Sequence, residues 1–580
     1  MRNERLEAWI LLVAAHTCPA RIHWCDGSDA ELAELRERLL ADGTLSSLNA
    51  DAYPGCFLHR TQASDAAPCA QRRFVSTTHR ADAGPTNQWL AEEEAYRIVW
   101  PLFAKAMSGR TLFVVPYLLG SPRSKYAQVG VQLTDSPLVV LLMAMLTRMG
   151  RVALQHLGSS SDFVRGLHCL AGCEPERRYL VRFPATQTCW SIGTAYPKDA
   201  TLLESHVLSL ASSVAPEEGY LAEHMSVARV TNPEGTVRYV AAAFPSGCGK
   251  TRLATLIPSL PGWEVELVAD GLCLLRVGED GRLWALNPAA GIDGMVGDAH
   301  PRSGSGGWAS LVRDSIFINV ALRRDGAPWW ESSGEPGGEG VLDWQGRPWR
   351  PGGAAPAAHP NARFIASAQQ CPKLSSLFYD PEGVPLSAIL FGGRRHALLP
   401  LVFEATSWEH GVYVGATSRS EAAPGSGRAE GVLHNDPMAM LPFCSYDMAD
   451  YFAHWLRLGA QLYRPPRIFH VNWFRNDARG RLLWPGFGEN IRVLDWVLGR
   501  VERCAEARRT PIGFVPQSLD TSGLDLDAET VEQLLQVDVR AWLREAEASQ
   551  EFLAQFGERL PRALQREQQA LLRRLAAATN

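Results

Sequence analysis

The order of apolar and polar residues predicts that buried strands alternate with helices along most of this chain. Residues 239–243 are apolar at every position, which predicts a strand buried on both faces. Residues 30–42 combine many charges with apolar positions at helical spacing, which predicts a solvated amphipathic helix. Residues 138–146 form a buried helix or a buried strand. Further strands are predicted over residues 109–119, 265–268, 272–277 and 316–322.

Both ends of the sequence are predicted to be helical, and several loops lie between them. Residues 525–578 are dominated by Glu, Gln, Arg, Leu and Ala, with leucines spaced to pack against the body of the protein. The apolar run 8–15 is too short to span a bilayer and lacks a convincing signal-peptide cleavage site, so it predicts an N-terminal helix. Three Gly/Pro-rich segments predict surface loops: residues 332–340, 351–360 and 424–427.

Composition and charge are typical of a large cytoplasmic globular protein. The 580 residues are enough for two or more domains. The chain has 57 Lys and Arg and 62 Asp and Glu, which gives a net charge of −5. We therefore expect neither nucleic acid nor a membrane as partner. The 12 cysteines show no disulfide-like rhythm, which predicts reduced thiols. His16, Cys18, His23 and Cys25 lie close together, but their spacing is not typical of a zinc site.

The segment 244–251, Phe-Pro-Ser-Gly-Cys-Gly-Lys-Thr, carries the clearest chemical signal. It follows the predicted strand 239–243 and precedes a predicted helix over 251–257. Glycines in such a turn let backbone N–H groups converge on phosphate oxygens, while the lysine neutralises the phosphates and the threonine hydroxyl can hold a divalent metal. Phe244 stands where a strict P-loop has its first glycine, so the segment is a variant. It predicts a phosphate site at Ser246, Gly247, Gly249, Lys250 and Thr251.

A set of ordered motifs extends along almost the whole chain. The motifs are residues 82–87 (DAGPTN), 130–137 (GVQLTDSP), 221–225 (LAEHM), 231–235 (TNPEG), 244–251 (FPSGCGKT), 359–364 (HPNARF), 391–395 (FGGRR), 436–440 (DPMAM) and 484–490 (WPGFGEN). Together they resemble the GTP-dependent phosphoenolpyruvate carboxykinases. The resemblance implies an α/β fold, with an N-terminal substrate domain (1–218) and a C-terminal P-loop GTP-binding domain with mixed sheets, a lid and a helical tail (219–580).

The family converts oxaloacetate and GTP to phosphoenolpyruvate, GDP and carbon dioxide with Mg²⁺ or Mn²⁺, commonly as monomers. By resemblance, the base of GTP lies among Trp473, Phe474, Phe487 and Asn490. The implied catalytic residues are Lys250, Cys248, Arg363 and Arg419, the two arginines clamping the transferred phosphoryl group. The implied metal ligands are Thr251, Asp270 and His224, and the implied substrate contacts are Asn361 and Tyr196.

Several positions depart from the family pattern, mostly where substrate and the catalytic metal bind. A glycine pair is replaced by Pro197-Lys198, and a lysine pair by Glu204-Ser205. Gly271 replaces the second of two aspartates. Pro68 aligns with the arginine that grips the substrate carboxylate, although Arg72 is nearby. In addition, Leu482 replaces an aromatic residue of the base pocket, residues 293–302 depart from a Pro-Gly-Thr-rich segment, and the lid expected between residues 454 and 471 is unusual.

These departures leave three hypotheses. The preferred one is a GTP-dependent phosphotransferase that moves the γ-phosphoryl group to an acceptor other than enolpyruvate, such as a small-molecule or peptide hydroxyl or nitrogen. His224, Asp199 or Glu204 would then be the base. The alternative is a true phosphoenolpyruvate carboxykinase with replaced ligands, in which Glu204 coordinates the metal and Arg72 binds carboxylate. The third is a non-catalytic GTP-binding protein.

Overall fold

The computed structural model describes residues 3–66, 71–298, 311–353, 355–422 and 430–579. The departures at Pro68 and 299–302 and the predicted loop 424–427 lie outside the described residues. Among those described, no helix combines the length and apolar character that a bilayer crossing requires.

The N-terminal part is built on a mixed nine-stranded sheet. Strand Thr111–Leu119 is buried at every position, and it pairs with its neighbours on both sides. In spatial order the strands are Arg21–Trp24, Thr111–Leu119, Gln128–Thr134, Val164–Cys169, Thr188–Ile192, Tyr179–Phe183, Arg73–Thr77 and Trp89–Ala91, with Arg148–Met149 paired to the second.

The C-terminal part contains an eight-stranded sheet and two smaller sheets that flank the P-loop. The eight-stranded sheet runs Glu264–Ala269, Ser226–Thr231, Val237–Ala243, Ala388–Gly392, Arg467–Val471, Val402–Glu404, Gly513–Pro516 and Ala507–Thr510. The four-stranded sheet runs Tyr220–Glu223, Cys273–Val277, Leu283–Leu286 and Val384–Pro385. The five-stranded sheet runs Gly291–Met295, Arg363–Ser367, Ile316–Ile318, Phe57–His59 and Leu45–Ser47, so it joins two strands from the first 60 residues to three from the middle of the sequence. Two ribbons pair Ala321–Leu322 with Pro328–Trp329 and Arg419–Glu421 with Leu433–Asn435.

Helices cover these sheets and form the C-terminal tail. The α-helices are Glu4–Thr17, Asp29–Ala41, Arg80–Ala83, Glu92–Ile98, Pro137–Leu146, Arg151–Leu157, Pro197–Thr201, Ala211–Glu218, Lys250–Ala254, Trp408–Ala416, Met448–Gln461, Asn490–Glu502, Ala528–Leu535, Val539–Ala554 and Arg562–Thr579, and Ser205–Leu210 is a π-helix. The predicted α/β fold and its helical tail are therefore confirmed.

Residues 138–146, left open between helix and strand, form the helix Pro137–Leu146. Ser136 caps it by accepting a hydrogen bond from the Val139 N–H, and Pro137 fits the first helical position. The helix is buried on most sides and packs against helix Asp29–Ala41 and strand Arg363–Ser367. This packing brings its last residue, Leu146, to the edge of the candidate active site.

Two predicted elements are shorter than expected. The helix predicted over 251–257 is Lys250–Ala254, because two β-branched threonines lie within it or just after it and Pro258 prevents its continuation. The strand predicted over 316–322 is split into Ile316–Ile318 and Ala321–Leu322. Asn319 between them has φ of +56°, and its side chain accepts a hydrogen bond from the Thr61 N–H and donates one to the Thr61 hydroxyl.

Candidate active site

An open cleft lies where the P-loop, the segment 198–204 and the five-stranded sheet meet. It has about 760 Å³ of empty volume, counting its mouth. Its charged and polar lining comes from elements far apart in sequence, which the two flanking sheets hold in place. The lining includes Lys198, Thr201, Glu204, His224, Ser246, Gly247, Lys250, Thr251, Asp270, Asp293 and Arg363.

The P-loop follows strand Val237–Ala243, which pairs in parallel with strand Ala388–Gly392 inside the sheet. Gly247 and Gly249 have φ of +75° and +92°, a backbone region that suits glycine and closes the turn before helix Lys250–Ala254. The Lys250 ammonium donates to the Phe244 carbonyl oxygen at 2.7 Å, which holds the buried lysine beneath the turn. The strand, turn and lysine expected from the sequence are thus assembled at one edge of the cleft.

Thr251 and Asp270 form a hydroxyl–carboxylate pair beside the P-loop. The Thr251 hydroxyl lies 2.8 and 3.0 Å from the two Asp270 carboxylate oxygens, and Ser226 donates to the same carboxylate at 2.7 Å. Asp270 follows directly on strand Glu264–Ala269, so the sheet fixes its position. Oxygen donors of these two types suit a hard divalent cation such as Mg²⁺.

His224 follows strand Tyr220–Glu223 and lines the cleft. Its Nδ1 lies 3.3 Å from the Ala439 carbonyl oxygen, and its ring packs on Phe443 with 4.7 Å between centroids. Burial lowers the pKa of His224 far below its ordinary value, and the nearby positive charges of Lys250 and Lys198 lower that pKa further. The imidazole is therefore neutral, as a metal ligand must be.

Two ion pairs lie in the cleft, and three of their four residues stand where the sequence departs from the family pattern. Lys198 pairs with Glu204, and Arg363 pairs with Asp293. The Arg363 Nε donates to Asp293 Oδ1 at 2.8 Å, while its Nη2 lies 2.7 Å from the same oxygen and donates to the Asp293 backbone carbonyl at 3.2 Å. Burial alone would raise the pKa of Glu204, but Lys198 outweighs it and lowers that pKa. Likewise, burial would lower the pKa of Arg363, and Asp293 raises it instead. The cleft thus holds a lysine and two carboxylates at positions where the family motif has other residues.

The two expected substrate contacts lie together behind this cleft. The Asn361 amide donates to the Tyr196 hydroxyl at 2.6 Å, and the Tyr196 ring is fully buried. Burial raises the pKa of Tyr196 well above its ordinary value, so the hydroxyl stays protonated. The contact joins the start of helix Pro197–Thr201 to the loop before strand Arg363–Ser367.

The aromatic residues expected around the guanine base are only partly exposed. Phe487 is 45% exposed and lies under the Arg252 guanidinium, 4.8 Å from the ring centroid. Phe474 lies under Arg394 at 4.5 Å. Trp473 and Asn490 are buried, and the Asn490 amide oxygen accepts a 2.8 Å bond from the Trp484 indole.

Several contributors to the site were missed or undervalued by sequence reasoning. Arg394 bridges from Phe474 to the P-loop, with its Nη2 3.5 Å from the Gly247 carbonyl oxygen, and it lies inside the motif 391–395. Arg252 directly follows the P-loop threonine. Lys198 and Asp293 were noted only as departures from the family pattern. The sequence could have indicated Arg394, because it lies in the motif 391–395. The pairings of Lys198 and Asp293 are apparent only in the folded structure.

Two residues implied as catalytic lie away from the cleft lining. The Cys248 side chain is buried in an apolar cluster with Phe244. Arg419 lines a second cavity, where Glu545 of helix Val539–Ala554 accepts a hydrogen bond from it at 3.1 Å. Their catalytic roles stay predictions. The lid expected between 454 and 471 corresponds to the end of helix Met448–Gln461 and a short connection, in which the Tyr463 N–H donates to the Gly281 carbonyl oxygen at 2.8 Å.

A buried carboxyl group lies directly beside His224. Glu223 accepts hydrogen bonds from the Tyr451 hydroxyl at 2.7 and 2.9 Å and from the Trp455 indole at 3.0 Å. Burial raises the pKa of Glu223 to about 8, and the two donors only partly offset that effect. The group is therefore protonated in the folded protein at neutral pH.

We expect Glu223→Gln to stabilise the fold at neutral pH but hardly at pH 4.5. The unfolded carboxyl group ionises near pH 4.5 while the folded one stays protonated up to about 8. Stability is therefore lost as pH rises between these values, by roughly 3 kcal/mol at pH 7. Urea unfolding of the wild type, Glu223→Gln and the exposed control Glu279→Gln between pH 4.5 and 8 measures this. Parallel pH profiles for all three proteins would contradict it.

Comparisons with known proteins cover almost the whole chain. Residues 8–216 match the model of the phosphoenolpyruvate carboxykinase N-terminal domain, and residues 220–574 match that of the C-terminal P-loop domain. The chain is 44% identical to the GTP-type phosphoenolpyruvate carboxykinase of Anaeromyxobacter dehalogenans, over 99% of this chain and 98% of the relative. It is also 44% identical to the Chlamydia pneumoniae protein of that name (97% of each chain) and 43% identical to that of Chlamydia trachomatis serovar D (96% of each).

These relatives correct the preferred functional hypothesis. Full-length identity of 44% to proteins named GTP-type phosphoenolpyruvate carboxykinases contradicts transfer to a different acceptor and favours the alternative, a true carboxykinase. The error has a physical origin. Each replaced residue was judged at its own position, whereas the fold brings Lys198, Glu204 and Asp293 into one cleft. The chain belongs to the family of GTP-dependent phosphoenolpyruvate carboxykinases.

Proposed function

We propose that this chain converts oxaloacetate and GTP to phosphoenolpyruvate, GDP and carbon dioxide. In this reaction the bond between C3 and the departing carboxyl group breaks and leaves an enolate. The enolate oxygen then forms a bond to the γ-phosphorus as the bond from that phosphorus to the β–γ bridging oxygen of GTP breaks. One observation carries the proposal: the Arg363 guanidinium lines the same cleft as Lys250 and Thr251 of the P-loop.

The nucleotide half of the proposal rests on the P-loop and on the residues near Phe487. The backbone of 246–250 would cradle the phosphates, with Lys250 moving from the Phe244 carbonyl to the outer phosphate oxygens. The base would lie on the Phe487 and Phe474 rings, where Arg252 and Arg394 already add positive charge. Leu482, 57% exposed, would add apolar contact without stacking.

The substrate half rests on the positive side chains that line the cleft together with the P-loop. Arg363 is the planar donor suited to the moving phosphoryl group, because its fork can bond two equatorial oxygens at once. Asp293 occupies that fork in the described structure, so an incoming anion would have to displace it. The Lys198 ammonium supplies a second positive charge to the cleft lining and is likewise paired, with the Glu204 carboxylate. The proposal includes an altered substrate and metal site, in which Lys198, Glu204 and Asp293 stand where the family pattern has other residues.

The donor set in the cleft fits divalent cations. Thr251 and Asp270 would hold the cation that accompanies GTP. Neutral His224 and the carboxylates of Glu204 and Asp293 line the same cleft. Their ligand atoms do not all lie within 4.8 Å of one another in the described structure, so they would have to draw together to offer Mn²⁺ one nitrogen and two oxygen donors. When bound, such a cation supplies electrostatic stabilisation of the enolate oxygen. The protein groups orient the acid, and Tyr196 and Asn361 support the wall behind it.

We expect Asp293→Asn and Glu204→Gln each to weaken one of two Mn²⁺ sites by about 10-fold or more, because each removes an anionic oxygen donor. Electron paramagnetic resonance of free Mn²⁺ during titration, with GTP present, counts the sites and gives their affinities. Glu279→Gln, an exposed carboxylate outside the cleft, is the matched control and should bind like the wild type. Unchanged Mn²⁺ affinity in both cleft variants would contradict this ligand set.

Turnover tests the proposed function directly. Purified protein with oxaloacetate, GTP and Mn²⁺ should release phosphoenolpyruvate, detected by coupling to pyruvate kinase and lactate dehydrogenase. Nucleotide binding without any phosphoenolpyruvate would instead support a non-catalytic GTP-binding protein. Failure of the Mn²⁺ prediction with turnover intact would leave the function standing and reject only the ligand assignment.

A further inference from the structure

A histidine, a cysteine and a glutamate meet at the end of the edge strand Arg21–Trp24. His23 and Cys25 are two residues apart in extended chain, so their side chains point to the same side. Glu31 reaches them from the first turn of helix Asp29–Ala41. One ligand atom from each residue lies within 4.8 Å of the other two, and His23 Nε2 is 2.6 Å from a Glu31 carboxylate oxygen.

Backbone groups hold the Glu31 carboxylate in place. Its second oxygen accepts hydrogen bonds from the N–H groups of Asp26 and Gly27, at 3.0 and 2.8 Å. Gly27 has φ of +72°, which turns the chain tightly enough to present both N–H groups. One carboxylate oxygen is thereby anchored, while the other faces His23. Such backbone bonds to a ligand carboxylate are typical of the outer shell of a metal site.

The remaining members of the N-terminal His and Cys group lie elsewhere. His16 Nε2 lies 2.8 Å from the Trp100 carbonyl oxygen, and the exposed Cys18 lies near the end of helix Glu4–Thr17. Cys25 is buried, while the His23 side chain is 41% exposed, so the cluster is closed on the thiol side and open to solvent on the imidazole side. The spacing that argued against zinc lacked Glu31, which comes from the next element.

We propose that His23, Cys25 and Glu31 bind a transition-metal dication of the Zn²⁺ type, with water as the fourth ligand. Nitrogen, sulfur and carboxylate donors together favour Zn²⁺ over Mg²⁺ or Ca²⁺, which prefer all-oxygen sites. The bound ion would tie the edge strand to helix Asp29–Ala41. That helix packs on Pro137–Leu146, which reaches the catalytic cleft. The proposal is independent of the carboxykinase reaction.

Cobalt(II) titration of the full chain, freed of metal and kept reduced, tests this site. A thiolate ligand gives a sulfur-to-cobalt charge-transfer absorption, which oxygen and nitrogen ligands in the catalytic cleft do not produce. We expect this absorption at one equivalent in the wild type, with Zn²⁺ displacing it. Cys18→Ser, the exposed neighbouring cysteine, should keep it, whereas Cys25→Ser should abolish it.

Two further variants distinguish the loss of a metal ligand from the loss of the fold. Glu31→Gln keeps an oxygen for the two backbone N–H groups, and we expect it and His23→Gln to weaken Co²⁺ binding by about 10-fold or more. Zn²⁺ should raise the melting temperature of the wild type and of Cys18→Ser but not of Cys25→Ser. Absence of the charge-transfer absorption in the wild type, or its persistence in Cys25→Ser, would overturn the proposal.

Discussion

Replacing Lys250 with alanine is expected to lower kcat/KM for phosphoenolpyruvate formation by about 10³-fold. The Lys250 ammonium is buried at the edge of the cleft and bonded to the Phe244 carbonyl oxygen, from which it can turn to the phosphates. Alanine removes the positive charge that offsets the γ-phosphate as it departs. GTP binding should weaken as well, since that charge also acts in the ground state.

The matched control for this substitution is Lys125→Ala. The Lys125 ammonium lies over the Tyr126 ring and lines a different cavity, so its removal should leave kcat/KM within about twofold of the wild type. Steady-state assays with varied GTP separate the effects on kcat and KM. A Lys250→Ala protein with wild-type turnover would show that the P-loop lysine does not act on the transferred group.

Arg363→Lys is expected to lower kcat by about 10²-fold while changing the KM for GTP little. Lysine keeps the charge but loses the planar fork that binds two oxygens at once. The Arg363 side chain is almost fully buried and already binds two oxygens of Asp293, donating through Nε to the carboxylate Oδ1 and through Nη2 to the backbone carbonyl. The loss should therefore appear in the step where charge develops on the phosphoryl oxygens.

Arg229→Lys provides the control for that change. Arg229 pairs with Glu266 between neighbouring strands of the eight-stranded sheet and lies outside the lining of the catalytic cleft. An equal loss of kcat in both variants would attribute the Arg363 effect to general damage to the fold. Wild-type kcat in Arg363→Lys would remove the arginine from the phosphoryl-transfer step.

The P-loop and its supports could be predicted from sequence because their signals are local. An uninterrupted apolar run, two glycines and a Lys-Thr pair lie within 13 residues, so residues 239–251 specify strand, turn and helix start together. The motif order was equally informative about the family. The end of the short helix depended on Pro258 and the split strand on Asn319, single residues that override a hydrophobic pattern.

The charge pattern of the cleft could not be predicted in the same way. Asp293 and Arg363 are far apart in sequence, and they meet because strands Gly291–Met295 and Arg363–Ser367 are antiparallel neighbours. Lys198 and Glu204 meet across the end of a short helix. Taken one position at a time, each substitution looks like the loss of a family residue. That the new charged side chains pair with one another is apparent only in the folded protein. Glu31 beside His23 and Cys25 shows the same limit at the edge strand.

Phosphorus NMR of one reaction mixture tests the central claim most directly. Protein, oxaloacetate, GTP and Mn²⁺ are mixed, the metal is removed after quenching, and phosphoenolpyruvate and GDP are counted against Lys250→Ala as the blank. The account predicts one phosphoenolpyruvate for each GDP, with neither formed above background by the variant. GDP with inorganic phosphate or another phosphorylated product, and no phosphoenolpyruvate, would contradict it.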